Sequence, residues 1–160
     1  MKSIDKLFLW YFIIHIPVTI LIDSSIVIPP EYQLSITKVI LDFHISTNHD
    51  ILLAHPQTWF KVFGAVEVVF QLPLFFYFVY KLLAGQLDVK YNLWCVIYGF
   101  NAAFTTLVCL VWIAVEGKGF GLSDLEILNL CGIYSPYLIL PFILLVHSFR
   151  NIVSLKVKTD

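Results

Sequence analysis

The stretch Trp59-Phe60-Lys61-Val62-Phe63-Gly64-Ala65-Val66-Glu67-Val68-Val69-Phe70-Gln71-Leu72-Pro73 decides how this chain folds. It opens an apolar run that continues to residue 83. Crossing a hydrocarbon core of about 30 Å takes about 20 residues of helix, and the run is long enough. Inside it stands a carboxyl, Glu67. An ionisable group within a span costs about 3 kcal/mol or more, so by default it marks a functional site. A second acid of this kind, Asp23, ends the run from Trp10 to Asp23.

Three further runs, near 7–28, 91–115 and 126–153, have comparable length. Of the 160 residues 59% are hydrophobic and only 13% charged, with a mean hydropathy of +0.86. A soluble domain is about half apolar and a quarter charged, so the chain reads as an integral membrane protein. Unpaired backbone groups are not tolerated in lipid, which leaves helices as the spanning form. The expected fold is all-α: one domain over 1–160, a four-helix transmembrane bundle (58–83 being the second span), a long connection at 29–57 and a tail at 154–160. The run after Lys6 has no Ala-x-Ala-like site and continues past Asp23 to Ile28, so it is read as a span and not as a cleaved signal peptide.

Flanking charge sets the expected orientation. Lys2 and Lys6 precede the first run, Lys81 and Lys90 flank the turn between the second and third, and Arg150, Lys156 and Lys158 end the chain. The other connections mix Lys38 and Lys118 with Glu31, Asp42, Asp50, Glu116 and Asp124. The positive-inside rule puts both termini in the cytosol. A net charge of −1 and the lack of a strongly basic stretch exclude nucleic acid as a partner. Cys95, Cys109 and Cys131 have neither zinc nor disulfide spacing and read as packing residues. In the 29–57 connection, Pro29-Pro30-Glu31 reads as a helix start. The apolar residues that follow suit a short helix on the membrane surface or over the bundle. His44, His49 and His55 lack metal spacing and are expected to be solvated; no metal or organic cofactor is expected anywhere.

The polar residues inside the runs form a pattern. His15, Thr19 and Asp23 are spaced four and four, and Glu67 and Gln71 are four apart, so each set lies on one helix face. Pro17, Pro73, Pro136 and Pro141 predict kinks that open a cavity. At 1.5 Å per residue, Asp23 lies about 8 Å from its span's end and Glu67 about 14 Å from its own, with Tyr134 and Tyr137 at about 12–16 Å. All can meet at one level. Two carboxyls meeting in a dry cavity do not both ionise, so one is expected to hold a proton and bond to the other. Such a pair suits an amine or a hydroxyl; its structural alternative is an interhelical hydrogen bond.

These embedded residues resemble the EXPERA-domain proteins, and within them the receptor branch. The stretches that carry the resemblance are Tyr11 to Thr19 with Asp23, Trp59-Phe60-Lys61, Glu67 to Pro73, and Tyr134-Ser135-Pro136-Tyr137-Leu138-Ile139-Leu140-Pro141-Phe142, in the family's order. The resemblance implies a non-enzymatic receptor for sterols, oxysterols and cationic amphiphilic amines that contributes to cholesterol homeostasis. It further implies a homodimer, the Niemann–Pick type C cholesterol transporter as partner, and the endoplasmic reticulum membrane as location, with nuclear envelope or endolysosomal membrane beside it. Asp23 would be the amine's counter-ion and Glu67 its protonated neighbour. Gln71, Tyr134 and Tyr137 would line the cavity, with His15 behind Asp23. In the third span, Tyr98 matches directly and Thr106 after a one-residue gap. Lys156 and Lys158 resemble a dilysine retrieval signal. A sister branch isomerises sterol double bonds with a His four residues before its Glu; here that residue is Phe63. A structural adaptor for a sterol transporter is the third reading.

Overall fold

The computed structural model describes residues 2–157, with side chains through residue 154. All regular structure among the described residues is helical. The helices are α1 (Ser3–Leu21), α2 (Ser35–Asn48), α3 (Ile51–Ala54), α4 (Thr58–Val66), α5 (Leu72–Ala84), α6 (Val89–Glu116) and α7 (Asp124–Val157). They build four stretches long and apolar enough to cross a membrane: Ser3–Ile26, Thr58–Ala84, Val89–Phe120 and Asp124–Ser154. The chain is a multi-pass membrane protein with the expected four-span bundle.

The first span starts earlier than its apolar run suggested, because the Lys2 backbone N–H donates to the Asp5 carboxylate at 3.0 Å and carries the helix through Lys6. It also ends earlier. The helix runs through Pro17 and stops at Leu21, and residues Asp23–Ile26 form a 3₁₀ turn. Ser24 donates to the Ile20 carbonyl at 2.7 Å and Ser25 to that of Ile22 at 2.5 Å. Such side-chain bonds offer the backbone an alternative to continuing the helix.

The second span is interrupted where its acid stands. Glu67–Gln71 forms a π-helical turn between α4 and α5, and the Leu72 N–H reaches back five residues to the Glu67 carbonyl. Pro73 follows at once; it has no N–H to give, and its ring crowds the carbonyl four residues back. The wider turn relieves both problems, and π turns of this kind recur at functional sites. α6 is capped by Asp88, whose carboxylate accepts the Tyr91 N–H at 2.7 Å and a Lys81 ammonium proton at 3.0 Å. These two bonds hold the Asp88 carboxyl below the usual carboxylate range. At the start of α7, Ser123 and Glu126 exchange reciprocal bonds, a capping box.

α6 and α7 pack along most of their length. Gly99 permits a close approach: a Cβ there would lie 2.6 Å from the Pro141 carbonyl oxygen. One core cluster, rich in rings (Phe8, Phe12, Phe75, Phe78, Tyr91, Tyr98), fills the end near the termini. A second cluster (Leu52, Phe60, Ile113, Leu130) fills the end that carries the 29–57 connection. The cavity lies between them.

Candidate functional site

A cavity of about 240 Å³ opens between the spans. Its wall includes Tyr11, His15 and Asp23 from the first span, Phe63, Glu67 and Gln71 from the second, Thr105, Thr106 and Cys109 from the third, and Tyr134 and Tyr137 from the fourth. His44 and Leu53 close it from the connection. Thus His15, Asp23, Glu67, Gln71, Thr106, Tyr134 and Tyr137 share one wall, as their depths and faces allowed. Tyr98 does not. It is fully buried in the ring cluster, its hydroxyl 2.8 Å from that of Tyr11, and Tyr11 stands between it and the cavity side. Lys156 lies in α7 with its side chain outside the described residues, and Lys158 lies outside them altogether.

The breaks in the first two spans put the acids side by side. An oxygen of Asp23, an oxygen of Glu67 and a ring nitrogen of His15 all lie within 4.8 Å of one another. Thr19, fully buried, donates its hydroxyl to Glu67 Oε1 at 3.0 Å, and His15 Nε2 stands 3.2 Å from the same oxygen. His15 therefore sits directly against Glu67, with a ring nitrogen also within 4.8 Å of an Asp23 oxygen. Its ring stacks on Phe75 at 4.7 Å, while its Nδ1 has no hydrogen-bond partner. Gln71 Nε2 donates to Asn101 Oδ1 at 2.9 Å, and Thr106 donates to the Tyr137 carbonyl at 3.2 Å. Two carboxyls face the cavity, and no Lys or Arg is among its lining residues. The wall is therefore acidic and lacks a resident counter-ion. Its chemistry suits a cation, or a hydroxyl that both donates and accepts. His15, Asp23 and Glu67 are also the residues positioned to hold a metal.

Sequence reasoning missed the cluster that closes the cavity's other end. Asp50, counted only as a loop charge, is fully buried. Its Oδ1 accepts the Leu52 and Leu53 N–H groups at 3.0 and 3.1 Å. Its Oδ2 accepts the Tyr134 hydroxyl at 2.9 Å and lies 3.1 Å from His44 Nε2. His44 is half-buried on the cavity wall, contrary to the solvated state expected of it. An Asp just before Ile51-Leu52-Leu53-Ala54 was a legible helix-cap signal.

The EXPERA family (EXPanded EBP superfamily) matches residues 36–148. The chain belongs to this family. It is 41% identical over 148 residues to Efficient mitochondria targeting-associated protein 19 of Saccharomyces cerevisiae, covering 86% of this chain and 92% of that protein. It is 32% identical over 162 residues to Sigma intracellular receptor 2 of Homo sapiens, covering 94% and 89%. The protein of the first name in Schizosaccharomyces pombe is 28% identical over 137 residues, covering 86% and 70%. The receptor resemblance read in the sequence is thus shared with a second kind of relative, whose name speaks of mitochondria targeting. Similarity to either assigns the family, and the cavity has to carry the rest.

Proposed function

We propose that this EXPERA protein is a non-enzymatic membrane receptor that binds cationic amphiphilic amines, sterols and oxysterols. The observation that carries this reading is the carboxyl pair Asp23–Glu67, facing a cavity with no cationic side chain on its wall. Glu67 Oε1 is occupied by Thr19 and His15, which leaves Oε2 to share a proton with Asp23. Asp23, in its ionised form, is then the counter-ion for an ammonium. The aromatic rings of Tyr11, Phe63, Tyr134 and Tyr137 supply apolar surface for the rest of the ligand. At about 240 Å³ the cavity is smaller than most small-molecule sites, which run from about 300 Å³ upward. An amine head with one or two rings suits that space. A four-ring sterol enters only if the wall gives way, and the His44–Leu53 segment is the part of that wall not built from a span. By resemblance the protein works in the endoplasmic reticulum membrane, as a homodimer, alongside the Niemann–Pick type C cholesterol transporter.

The test is radioligand binding to purified variants. Removing one partner of a buried charge pair costs about 2–5 kcal/mol, so Asp23→Asn should lower amine affinity by at least about 30-fold at 1.4 kcal/mol per tenfold. Glu67→Gln should retain affinity within about tenfold, because the amide still donates where the protonated acid did. Undiminished binding in Asp23→Asn overturns the reading, and equal losses in both variants mean that both acids are ionised.

One observation favours a second reading. The isomerase branch's His–Glu pairing has no counterpart within the second span, where Phe63 takes the position of the His, but His15 reaches Glu67 from the first span at 3.2 Å. An acid and a base on one cavity wall are what proton transfer to and from a sterol double bond requires. Incubation with an unsaturated sterol in heavy water separates the readings: ring deuteration establishes the isomerase, and none supports the receptor.

A further inference from the structure

From the geometry we infer that His15, Asp23 and Glu67 form a three-residue site for a divalent cation of the zinc type, in competition with amines. This goes beyond the amine reading while using the same carboxyls.

Three observations carry it. The first is spacing. Bonds of about 2.0–2.1 Å to tetrahedral zinc place neighbouring donors about 3.3 Å apart. His15 Nε2 and Glu67 Oε1 are 3.2 Å apart, and an ion bonded to both subtends about 103° between them, close to the tetrahedral angle. An Asp23 oxygen, a His15 ring nitrogen and a Glu67 oxygen all lie within 4.8 Å of one another, so side-chain adjustments of about 1.5 Å bring the third donor to ligand spacing.

The second is charge. The cavity wall holds two carboxyls and no Lys or Arg. Two carboxylates, a neutral imidazole and a divalent ion sum to zero. An ion pair taken out of water is tolerated only when its charges are matched and its donors satisfied, and this set meets the first condition without importing an anion. A monovalent amine balances one carboxylate and needs the other protonated; a divalent ion balances both and displaces the proton.

The third is an unsatisfied nitrogen. His15 is 5% exposed and lines the cavity, yet its Nδ1 has no partner. Buried polar atoms in native proteins are almost always bonded. Among the described residues the only neighbour at the ring's nitrogens is the Glu67 carboxyl at Nε2, so Nε2 is the nitrogen that the imidazole presents to an occupant. The Thr19 hydroxyl on Glu67 Oε1 supplies the outer contact that orients a ligating carboxylate. The fourth position faces open cavity, the arrangement of zinc sites that keep a place for water or a ligand. One nitrogen and two oxygens favour zinc, cobalt or nickel. Calcium takes six to eight oxygens and magnesium an oxygen octahedron, neither of which the wall provides.

The experiment titrates cobalt(II), a coloured stand-in for zinc, into the full-length protein in detergent micelles at neutral pH with no amine present. Expected are a saturable visible band at one equivalent per chain, its loss on adding zinc, its persistence in excess magnesium or calcium, and its fading as acid returns protons to the ligands. His15→Ala and Asp23→Asn should each weaken cobalt binding by at least about 100-fold, since even outer-shell changes cost 10- to 100-fold. His49→Ala, an exposed histidine paired with Glu126 outside the cavity, should leave it unchanged. Thermal unfolding of each variant shows that it is folded. The absence of a saturable band, or binding that survives both ligand changes in folded protein, overturns the proposal. Radioligand amine binding measured with a chelator separates this outcome from the receptor reading: amine binding without cobalt binding leaves the receptor and removes the metal site. Cobalt binding without amine binding does the reverse. When both bind, amine affinity should fall in proportion to added zinc; independence of the two places the metal elsewhere and overturns the assignment.

Discussion

The bundle holds acids at both ends of its cavity and treats them differently. Asp50 is surrounded: two backbone N–H groups on one oxygen, a tyrosine hydroxyl and a histidine nitrogen at the other. The histidine is itself held, its second nitrogen 3.1 Å from Asn48 Nδ2. A carboxylate has about four acceptor sites, and here the protein fills all four. At the other end of the cavity Glu67 has Thr19 and His15 crowded onto a single oxygen, Asp23 stands beside it on the same wall, and His15 keeps an unpaired nitrogen. Depth in the bundle alone therefore does not tell these acids apart. What distinguishes them is capacity left over. Asp50 ties α2 and α3 to α7 and has nothing to offer a ligand; Asp23 and Glu67 keep acceptor positions turned toward empty space.

The largest effect expected from this contrast is at Asp50. Asp50→Ala strips partners from two N–H groups, a tyrosine hydroxyl and a histidine at once. Breaking a buried, hydrogen-bonded charged group by removing one side costs about 3–5 kcal/mol, enough to consume much of a small domain's stability. Thermal unfolding in detergent micelles should show a drop of many degrees, with reduced expression. A variant that unfolds at the parent temperature would mean that Asp50 is not the structural acid.

A smaller loss is expected at Tyr134, whose ring lines the cavity while its hydroxyl serves Asp50. Tyr134→Phe keeps the ring and removes one hydrogen bond to a charged acceptor, about 1.5–3 kcal/mol. Stability should fall by that amount, with amine affinity within about threefold of the parent, less than the 1.4 kcal/mol that a tenfold change represents. A tenfold loss of affinity at unchanged stability would make the hydroxyl a ligand contact and join the two regions into one site.

The sequence made the spans, their number and the deep acids legible for a simple reason. Apolar runs of about 20 residues have one stable form in lipid, and a carboxyl within one stands out against its neighbours. The i, i+4 spacing of His15–Thr19–Asp23 and of Glu67–Gln71 correctly put those residues on shared faces. It did not show that the first helix would stop at Leu21, where Ser24 and Ser25 draw on its last carbonyls. Nor did it show that the second would widen into a π turn at Glu67. Both breaks depend on how neighbouring spans compete for the same polar groups, which is not a local property. Asp50 was hidden for a related reason. In a connection rich in polar residues an acid looks solvated until α2 and α3 fold back over the bundle. Tyr98 erred the other way: its match to the family was direct, but its hydroxyl is taken by Tyr11.

The smallest change in stability is expected where the change in function is largest. In Asp23→Asn the amide occupies nearly the volume of the carboxyl, so no cavity opens. It removes a charge that, without a ligand, has no counter-ion on the cavity wall, and an unpaired charge in a low-dielectric site is costly. Its N–H₂ can donate to a Glu67 oxygen, so the contact between the first and second spans survives as a neutral hydrogen bond. The terms oppose or cancel, and the net effect should lie within about 1 kcal/mol of the parent with stabilisation as its sign, since sites shaped for ligands are commonly stabilised when their strained groups are replaced. Unfolding temperature measured without ligand should hold or rise by a few degrees while amine binding is lost. If Asp23→Asn instead destabilises the bundle as much as Asp50→Ala, Asp23 is a second structural acid. The difference in spare capacity between the two regions would then carry no functional meaning.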